Sequence, residues 1–361
     1  MYCLFRFKGE WKHNLSLPGF KVFSLANAAL FALLTLQHLL GGETFSFARI
    51  LLLVQCYFIL IPWRNISSRH FFATVALGAT VTGASSVYEV TVLHLGRAGS
   101  LASNPIPYAT SAGALLMSCL CFLFRSNASR GYKLLYAVGV IGASIAIVFS
   151  GTRGVWLAVL VMMLLLALPL LRKTSLKGAL TTLIVGSLLV SGSIYALGDK
   201  LKSRYQQTSR EFASIANSNL NTSIGIRLQL WQRGADYILQ NPVLGTGTAG
   251  YLQKVEQDKS AGIITPVAAL QAKAHFHNQY IDTLVRTGVL GLVALLLWML
   301  LPVWLLRKSG SPLNICTLAI AGTILVAGIT DVPFHHTHII YFYSMLMGIM
   351  LLKSQEIQSE T

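Results

Sequence analysis

Long apolar runs alternate with short polar connections through most of the chain, and this rhythm decides the fold class before any single residue does. Runs long enough to cross a bilayer, roughly 17 to 25 residues each, occur at about ten places. They cover 21–40, 46–63, 70–92, 107–124, 134–150, 154–171, 178–197, 280–306, 312–331 and 335–352. Each predicts an α-helix, because in lipid a segment has to satisfy its own backbone N–H and C=O groups. Asn27, Gln37 and His38 interrupt the first run. The segment 198–279 breaks the rhythm, being long, mixed and polar. Within it, "NTSIGIRLQLWQRGADYILQNP" predicts a helix that starts at Asn221, Thr222 or Ser223 and stops at Asn241-Pro242. Its apolar stripe, Ile226, Leu230, Trp231, Tyr237 and Ile238, suits a helix lying in the membrane interface. "LKSRYQQTSREFASI" predicts another helix with a basic face. The expectation is an all-α, polytopic integral membrane protein: a single membrane domain, 1–361, of about ten transmembrane helices. One large insertion, 198–279, carries short interfacial helices.

Composition agrees, with 54% hydrophobic and 11% charged residues, where soluble domains carry about 25% charged. The formal charge of +16 would suggest a nucleic-acid partner in a soluble protein. Its placement gives a different reading. The connections "RNISSRH", "RSNASRGYK", "LRKTSLK" and "LRKSGS" are basic and fall at every second loop, whereas "GGET", "SGTRG" and "TDVPFHH" carry few positive charges. By the positive-inside rule the basic set is cytoplasmic, together with both termini, and 93–106 and 198–279 lie outside. Nine basic residues against five acidic in 198–279 do not oppose this, because long translocated segments escape the rule. The partners of that charge are membrane lipids, not nucleic acid. The basic start "MYCLFRFKGEWKHN" leads straight into a run of span length, without a cleavage site. Cys3, Cys56, Cys119, Cys121 and Cys316 avoid the outer segment and lack the spacing of a zinc site, so no structural disulfide is expected.

Candidate chemistry then collects on the outer side. "SGTRGVWLA" places Arg153 in a short connection where Gly151 and Gly154 permit a sharp turn and close approach of a ligand. "SIGIRLQLWQRG" supplies Arg227 and Arg233, the latter more naturally a contact to lipid phosphate. "HLGRAGSLASNPIPYATSAG" sets Arg97 among small residues, a weak anion-site signal. "GITDVPFHHTH" puts Asp331 at a span end beside His335, His336 and His338. "AHFHNQYIDTL" brings His275, His277 and Asn278 to the start of the next span. Arginine grips phosphate with a permanently charged fork, and neutral histidine takes a proton from a hydroxyl near pH 7. Together they point to an anionic substrate and a proton transfer. "GTGTAG" at 245–250 follows no buried strand and is expected to be a tight turn, not a dinucleotide site. Neither H-E-x-x-H nor D-x-D occurs, so metal-dependent hydrolysis and sugar-nucleotide transfer lack their usual parts.

"RAGSLASNPIPYA", "SGTRGVWLA", "TSIGIRLQLW…NPVLGTGTAGY", "HFHNQYIDTLVRTGVLGL" and "GITDV", taken in order, resemble the O-antigen ligase family of bacterial inner membranes, within the wider ligase and polymerase superfamily. The resemblance implies transfer of a glycan from undecaprenyl pyrophosphate to a terminal sugar of lipid A-core, on the periplasmic side, with inversion and with neither metal nor nucleotide. It makes Arg153 and Arg227 the pyrophosphate-binding pair and His277 the general base, with His275 the alternative base. Arg97 becomes a further phosphate contact, Asp331 a support for the basic centre, and Asn278 the partner that follows the base directly. Family members usually carry about twelve spans; this chain begins two short at its N-terminal end, which leaves the topology unchanged. A polymerase or a protein O-oligosaccharyltransferase of the same superfamily would share the arginines and the donor. An anionic-lipid transporter would need charged or broken helices near the midplane and an internal repeat, which the sequence does not display.

Overall fold

The computed structural model describes residues 9–102, 104–124, 128–173, 198, 202–203, 205–311 and 313–359. Among these the chain is helical: α1 (Glu10–Ser16), α2 (Pro18–Gly41), α3 (Ser46–Leu60), α4 (Ser68–Val87), α5 (Pro105–Leu123), α6 (Arg130–Ser150) and α7 (Arg153–Lys173) come first. A helix at 205–216, α8, precedes α9 (Ser223–Gln240), α10 (Gly247–Ser260), α11 (Pro266–Ala272), α12 (Gln279–Lys308), α13 (Asn314–Ala327) and α14 (Thr337–Ser359). Every predicted run except 178–197, which lies outside the described residues, coincides with one of these helices. Five are long and apolar enough to cross a membrane: α2, α4 with its wider turn Tyr88–Val92, α5, α6 and α12. α3, the apolar part of α7 (Arg153–Leu166) and α13 are shorter. The protein is a helical, multi-pass membrane protein.

The polar residues that interrupt α2 are each given a partner. Trp298 Nε1 donates to Asn27 Oδ1 at 2.6 Å, and Asn27 Nδ2 donates to Gln55 Oε1 at 3.1 Å, which ties α2, α3 and α12 together inside the bundle. Gln37 donates to the Leu244 carbonyl and His38 meets the Glu43 carbonyl. In lipid, helices gain nothing from apolar contact alone and associate through close packing and such hydrogen bonds. Close packing is most evident between α4 and α6, where Ala76, Ala79 and Gly83 face Gly139, Gly142 and Ala143. A β-carbon on Gly142 would stand 2.6 Å from the Ala79 carbonyl oxygen, so the two backbones touch.

The segment after α7 forms a second apolar cluster of its own. Leu230 and Tyr237 of α9 pack with Tyr251 and Val255 of α10, Ala268, Ala269 and Ala272 of α11, then Phe276 and Val285. The stripe expected on α9 is therefore covered by protein: Ile226 and Ile238 lie against this cluster, and Trp231 Nε1 donates to the Phe276 carbonyl. Arg233, read as a lipid-phosphate contact, instead holds Asp258 through two bonds of 2.6 and 3.1 Å and Asp236 through one of 2.5 Å.

α12 is two pieces. At Gly288 the backbone leaves helical geometry, with φ 65° and ψ −166°. The Val285 carbonyl accepts from Thr246 N, while Val289 N turns to the Pro242 carbonyl. The 242–246 turn thus fills the gap in the helix ladder, with Gly245 and Gly247 of "GTGTAG" at positive φ as a tight turn requires. The span expected at 280–306 corrects accordingly: 279–287 is a separate helical segment, docked on that turn.

Leucine at Gly142 should lower the thermal midpoint of the detergent-solubilised protein by several degrees, an overpacking cost of about 1–3 kcal/mol or more. Leucine at Gly78, where a β-carbon meets nothing within 4 Å, should leave it unchanged. Equal midpoints for the two variants would contradict the backbone contact.

Candidate active site

Connections from distant parts of the chain meet at one end of the bundle. The loop after α4 docks on the α6–α7 turn: Ala98 N donates to the Phe149 carbonyl, and Arg97 donates through Nε to the Ser150 carbonyl (2.6 Å) and through a terminal nitrogen to Thr152 Oγ1 (3.0 Å). Arg153 follows as the first residue of α7. Its guanidinium donates to Thr208 Oγ1 at 2.5 Å and to Glu211 Oε1 at 3.1 Å, both on α8. The other Glu211 oxygen accepts the Ile224 amide at the start of α9, where Thr222 also caps through the Gly225 amide. One buried carboxylate thus connects Arg153 to the helix that carries Arg227. Arg227 folds back on Ser223 and donates through Nε to the Thr330 carbonyl (3.2 Å), one residue before Asp331. Burial lowers its proton affinity, Asp331 opposes that, and the like charge of Arg153 adds to it. The two guanidiniums and Asp331 therefore share one electrostatic neighbourhood.

The histidine loop approaches the same carboxylate from the other side. Asn278 Oδ1 caps α12 through the amides of Tyr280 (2.9 Å) and Ile281 (3.1 Å), while its Nδ2 donates to the Ile329 carbonyl (3.0 Å). Just before it, His277 takes a positive φ of 51°, which turns its imidazole edge-on to His275 with ring centroids 4.3 Å apart. The His277 amide donates to His275 Nδ1 at 3.2 Å. That nitrogen must be the acceptor, so the proton of neutral His275 sits on Nε2, which faces Asp331 Oδ1 at 3.9 Å. His277 Nδ1 lies 3.6 Å from the same oxygen, too long for a hydrogen bond but close enough for strong electrostatics. Asp331 is 2% exposed, and neither of its oxygens has a hydrogen-bond partner; His277 Nδ1 and His336 Nε2 are buried and unpartnered beside it. Burial alone would raise the Asp331 carboxyl, but His277 and the nearby His275 and His336 outweigh it and hold it below the usual range. Burial drives His275 and His336 each down to about 4.

Residues 137–296 match the family model described as O-antigen ligase. This stretch of the chain is similar to the O-antigen ligase family. The matched stretch runs from within α6 into α12 and includes Arg153, Arg227, His275, His277 and Asn278; Arg97 and Asp331 reach the same place from either side of it. The chain is also 26% identical, over 209 residues, to an uncharacterized protein of Haemophilus influenzae (strain ATCC 51907 / DSM 11121 / KW20 / Rd), a match that covers 57% of this chain. It spans about half of that relative's length.

The fold brings Arg153, Arg227, His275, His277 and Asp331 together, and places Arg97 and Asn278 where their side chains hold neighbouring loops together. Gly154 is close to protein, not open to a ligand: a β-carbon there would stand 2.0 Å from Thr330 Oγ1. Glu211 and Arg286 have most of their partners far away in sequence and no local motif marks them, whereas Asp282 stands within "HFHNQYIDTL" and bonds nearby, to the Phe276 amide and to Arg286 one turn on. His275, His277 and Asp331 offer ligand atoms within 4.8 Å of one another. A metal would need the lone pair of His275 Nε2, but the amide bond to Nδ1 commits Nε2 to the proton, so this set does not fit one.

The depressed His275 value sets a pH window. An unfolded histidine takes up its proton near 6.5, the folded one near 4, so the folded loop is fully favoured above 6.5 and loses ground as pH falls towards 4. The loss is about 1.4 kcal/mol per pH unit within that window. Amide exchange in 274–282, corrected for the intrinsic pH dependence, should therefore speed up between pH 6.5 and 4. Constant protection across the window would contradict the buried neutral imidazole.

Proposed function

We propose that this protein is an O-antigen ligase: it transfers a glycan from an undecaprenyl-pyrophosphate-linked donor to a terminal sugar hydroxyl of lipid A-core, at the periplasmic face of the bacterial inner membrane. Both termini are then cytoplasmic, and 198–279 is the periplasmic insertion between the seventh and eighth spans. The observation that carries this reading is the convergence of two guanidiniums and a histidine–carboxylate pair, drawn from four separate segments of the chain, at one end of the bundle.

The chemistry follows from that arrangement. With Nδ1 turned to the buried Asp331, His277 keeps Nε2 as its reactive nitrogen; in this state Nε2 lies 3.4 Å from Gln271 Oε1. Nε2 takes the acceptor hydroxyl's proton as that oxygen bonds to the anomeric carbon of the donor. The bond from that carbon to the pyrophosphate oxygen breaks on the opposite face, which inverts the centre, and its electron pair leaves with the pyrophosphate. Arg153 and Arg227 neutralise the charge that develops there. Asp331 stabilises the imidazolium that forms and fixes the ring's orientation, as the acid of a catalytic triad does. Neutral His275 turns its Nε2–H towards Asp331 at 3.9 Å, too far for a hydrogen bond, and its dipole helps to hold that carboxylate charged. Pyrophosphate is already a competent leaving group, so positioning and charge neutralisation suffice. Arg97 keeps the α6–α7 turn in place next to Arg153, and Asn278 keeps the base at the head of α12.

Purified protein should transfer glycan from the lipid-linked donor to lipid A-core in detergent, with a chelator present. His277→Ala should lower the rate by about 10²–10⁴, and Arg153→Ala or Arg227→Ala by about 10²–10³, roughly what the loss of one oxyanion-hole donor costs. Lysine at either arginine position should recover only part of the loss, because the fork is gone. Full activity in His277→Ala together with Arg153→Ala would end the assignment. Core carrying one repeat unit in a deletion strain, in place of bare core, would reassign the chain to the polymerase branch.

A further inference from the structure

Arg286 lies nearly buried below the histidine loop, on the 279–287 segment of α12, and all five of its N–H groups are engaged. Nε donates to Asp282 Oδ2 at 2.9 Å, one turn earlier on the same helix. One terminal nitrogen donates to Thr248 Oγ1 (2.6 Å) and Glu43 Oε2 (3.5 Å); the other donates to Tyr251 OH (2.8 Å) and the Ala274 carbonyl (2.9 Å). The guanidinium also stacks on Tyr251, 4.6 Å from the ring centre. Glu43 comes from the turn between α2 and α3, Thr248 and Tyr251 from α10, and Ala274 from the histidine loop itself. Asp282 completes the loop's anchorage, since its other oxygen accepts the Phe276 amide at 3.1 Å.

The two anchored backbone groups, the Ala274 carbonyl and the Phe276 amide, flank His275. Phe276 points away from the site, into the cluster with Tyr237 and Tyr251, while His275 and His277 point towards Asp331. A simple ion pair with Asp282 would need two of Arg286's donors at most. It uses one, and the remaining four reach three other segments, a span that only a planar fork covers.

We propose that Arg286 is a positioning residue that sets the His275–His277 loop against Asp331, with Glu43 and Asp282 as its carboxylate partners. This rests on the reading of His277 as the base. Arg286 touches no reacting atom; it acts through the backbone of residues 274–276.

The test is carbethoxylation of histidines by diethyl pyrocarbonate at pH 7, located by mass spectrometry of the full chain in nanodiscs, alongside transfer kinetics. His275 is 6% exposed and should be protected in the wild type. In Arg286→Lys, which keeps the charge and loses the fork, His275 should react at least about tenfold faster, because a loop opening that is rare in the wild type becomes frequent. Transfer should fall about 10²-fold in kcat, the scale of a 1 Å misplacement, with KM for the lipid-linked donor unchanged. Arg233→Lys, which disturbs an ion pair elsewhere in the same lobe, should leave His275 protected. If Arg286→Lys does not accumulate, Glu43→Gln takes its place and should give a smaller change in the same direction. His275 still protected in both variants overturns the inference, and so does unmasking of His275 equally in Arg233→Lys. A loss confined to donor KM also overturns it. Absence of transfer in the wild type would count against the functional reading alone, since the labelling decides the role of Arg286 independently.

Discussion

A carboxylate with no hydrogen-bond donor is one of the costliest things a protein can bury. Asp331 is such a group, and much of the surrounding architecture exists to make it tolerable. Arg227 is drawn to the carbonyl next to it, the histidine loop turns both its imidazoles towards it, and His336 approaches from the start of α14. None of these partners comes from the same helix, so charge compensation and loop convergence are one requirement. Remove the acid and the loops lose their common electrostatic target; remove the loops and the acid cannot stay ionised.

The arginines divide their work along similar lines. Arg97 and Arg286 have backbone carbonyls among their partners, as fixed connectors do. Arg153 meets side chains only, a hydroxyl and a carboxylate on the short helix 205–216, which a competing anion can replace without breaking backbone structure. Arg227 stands between the two, donating to the Thr330 and Ser223 carbonyls as well as to the Ser223 hydroxyl.

Apolar run length made the helices legible, because lipid leaves a segment no alternative to satisfying its own backbone. The motif loops were legible too, since an arginine or a histidine pair at a span end stands out against an apolar background. What escaped notice was pairing over distance. Glu211 lies 58 positions from Arg153, and Glu43 lies 243 from Arg286; neither has a neighbour in sequence that hints at its partner. Arg233 follows this only in part: one of its acids, Asp258, lies 25 residues away on another helix, while the other, Asp236, is three residues on in the same helix. The break at Gly288 was hidden inside an uninterrupted apolar run, because the turn that fills it comes from 242–246.

That break separates two mechanical environments. A continuous helix would pass every tilt of its membrane portion on to its outer end, and bilayers of different thickness do tilt helices. Here the helix is broken at Gly288, and the 242–246 turn bridges the break, giving the Thr246 amide to the Val285 carbonyl of the shorter arm and accepting the Val289 amide of the longer arm on the Pro242 carbonyl. The imidazoles at the head of the short arm are thus seated on a splice, where the outer lobe and the membrane span are clamped by one shared turn.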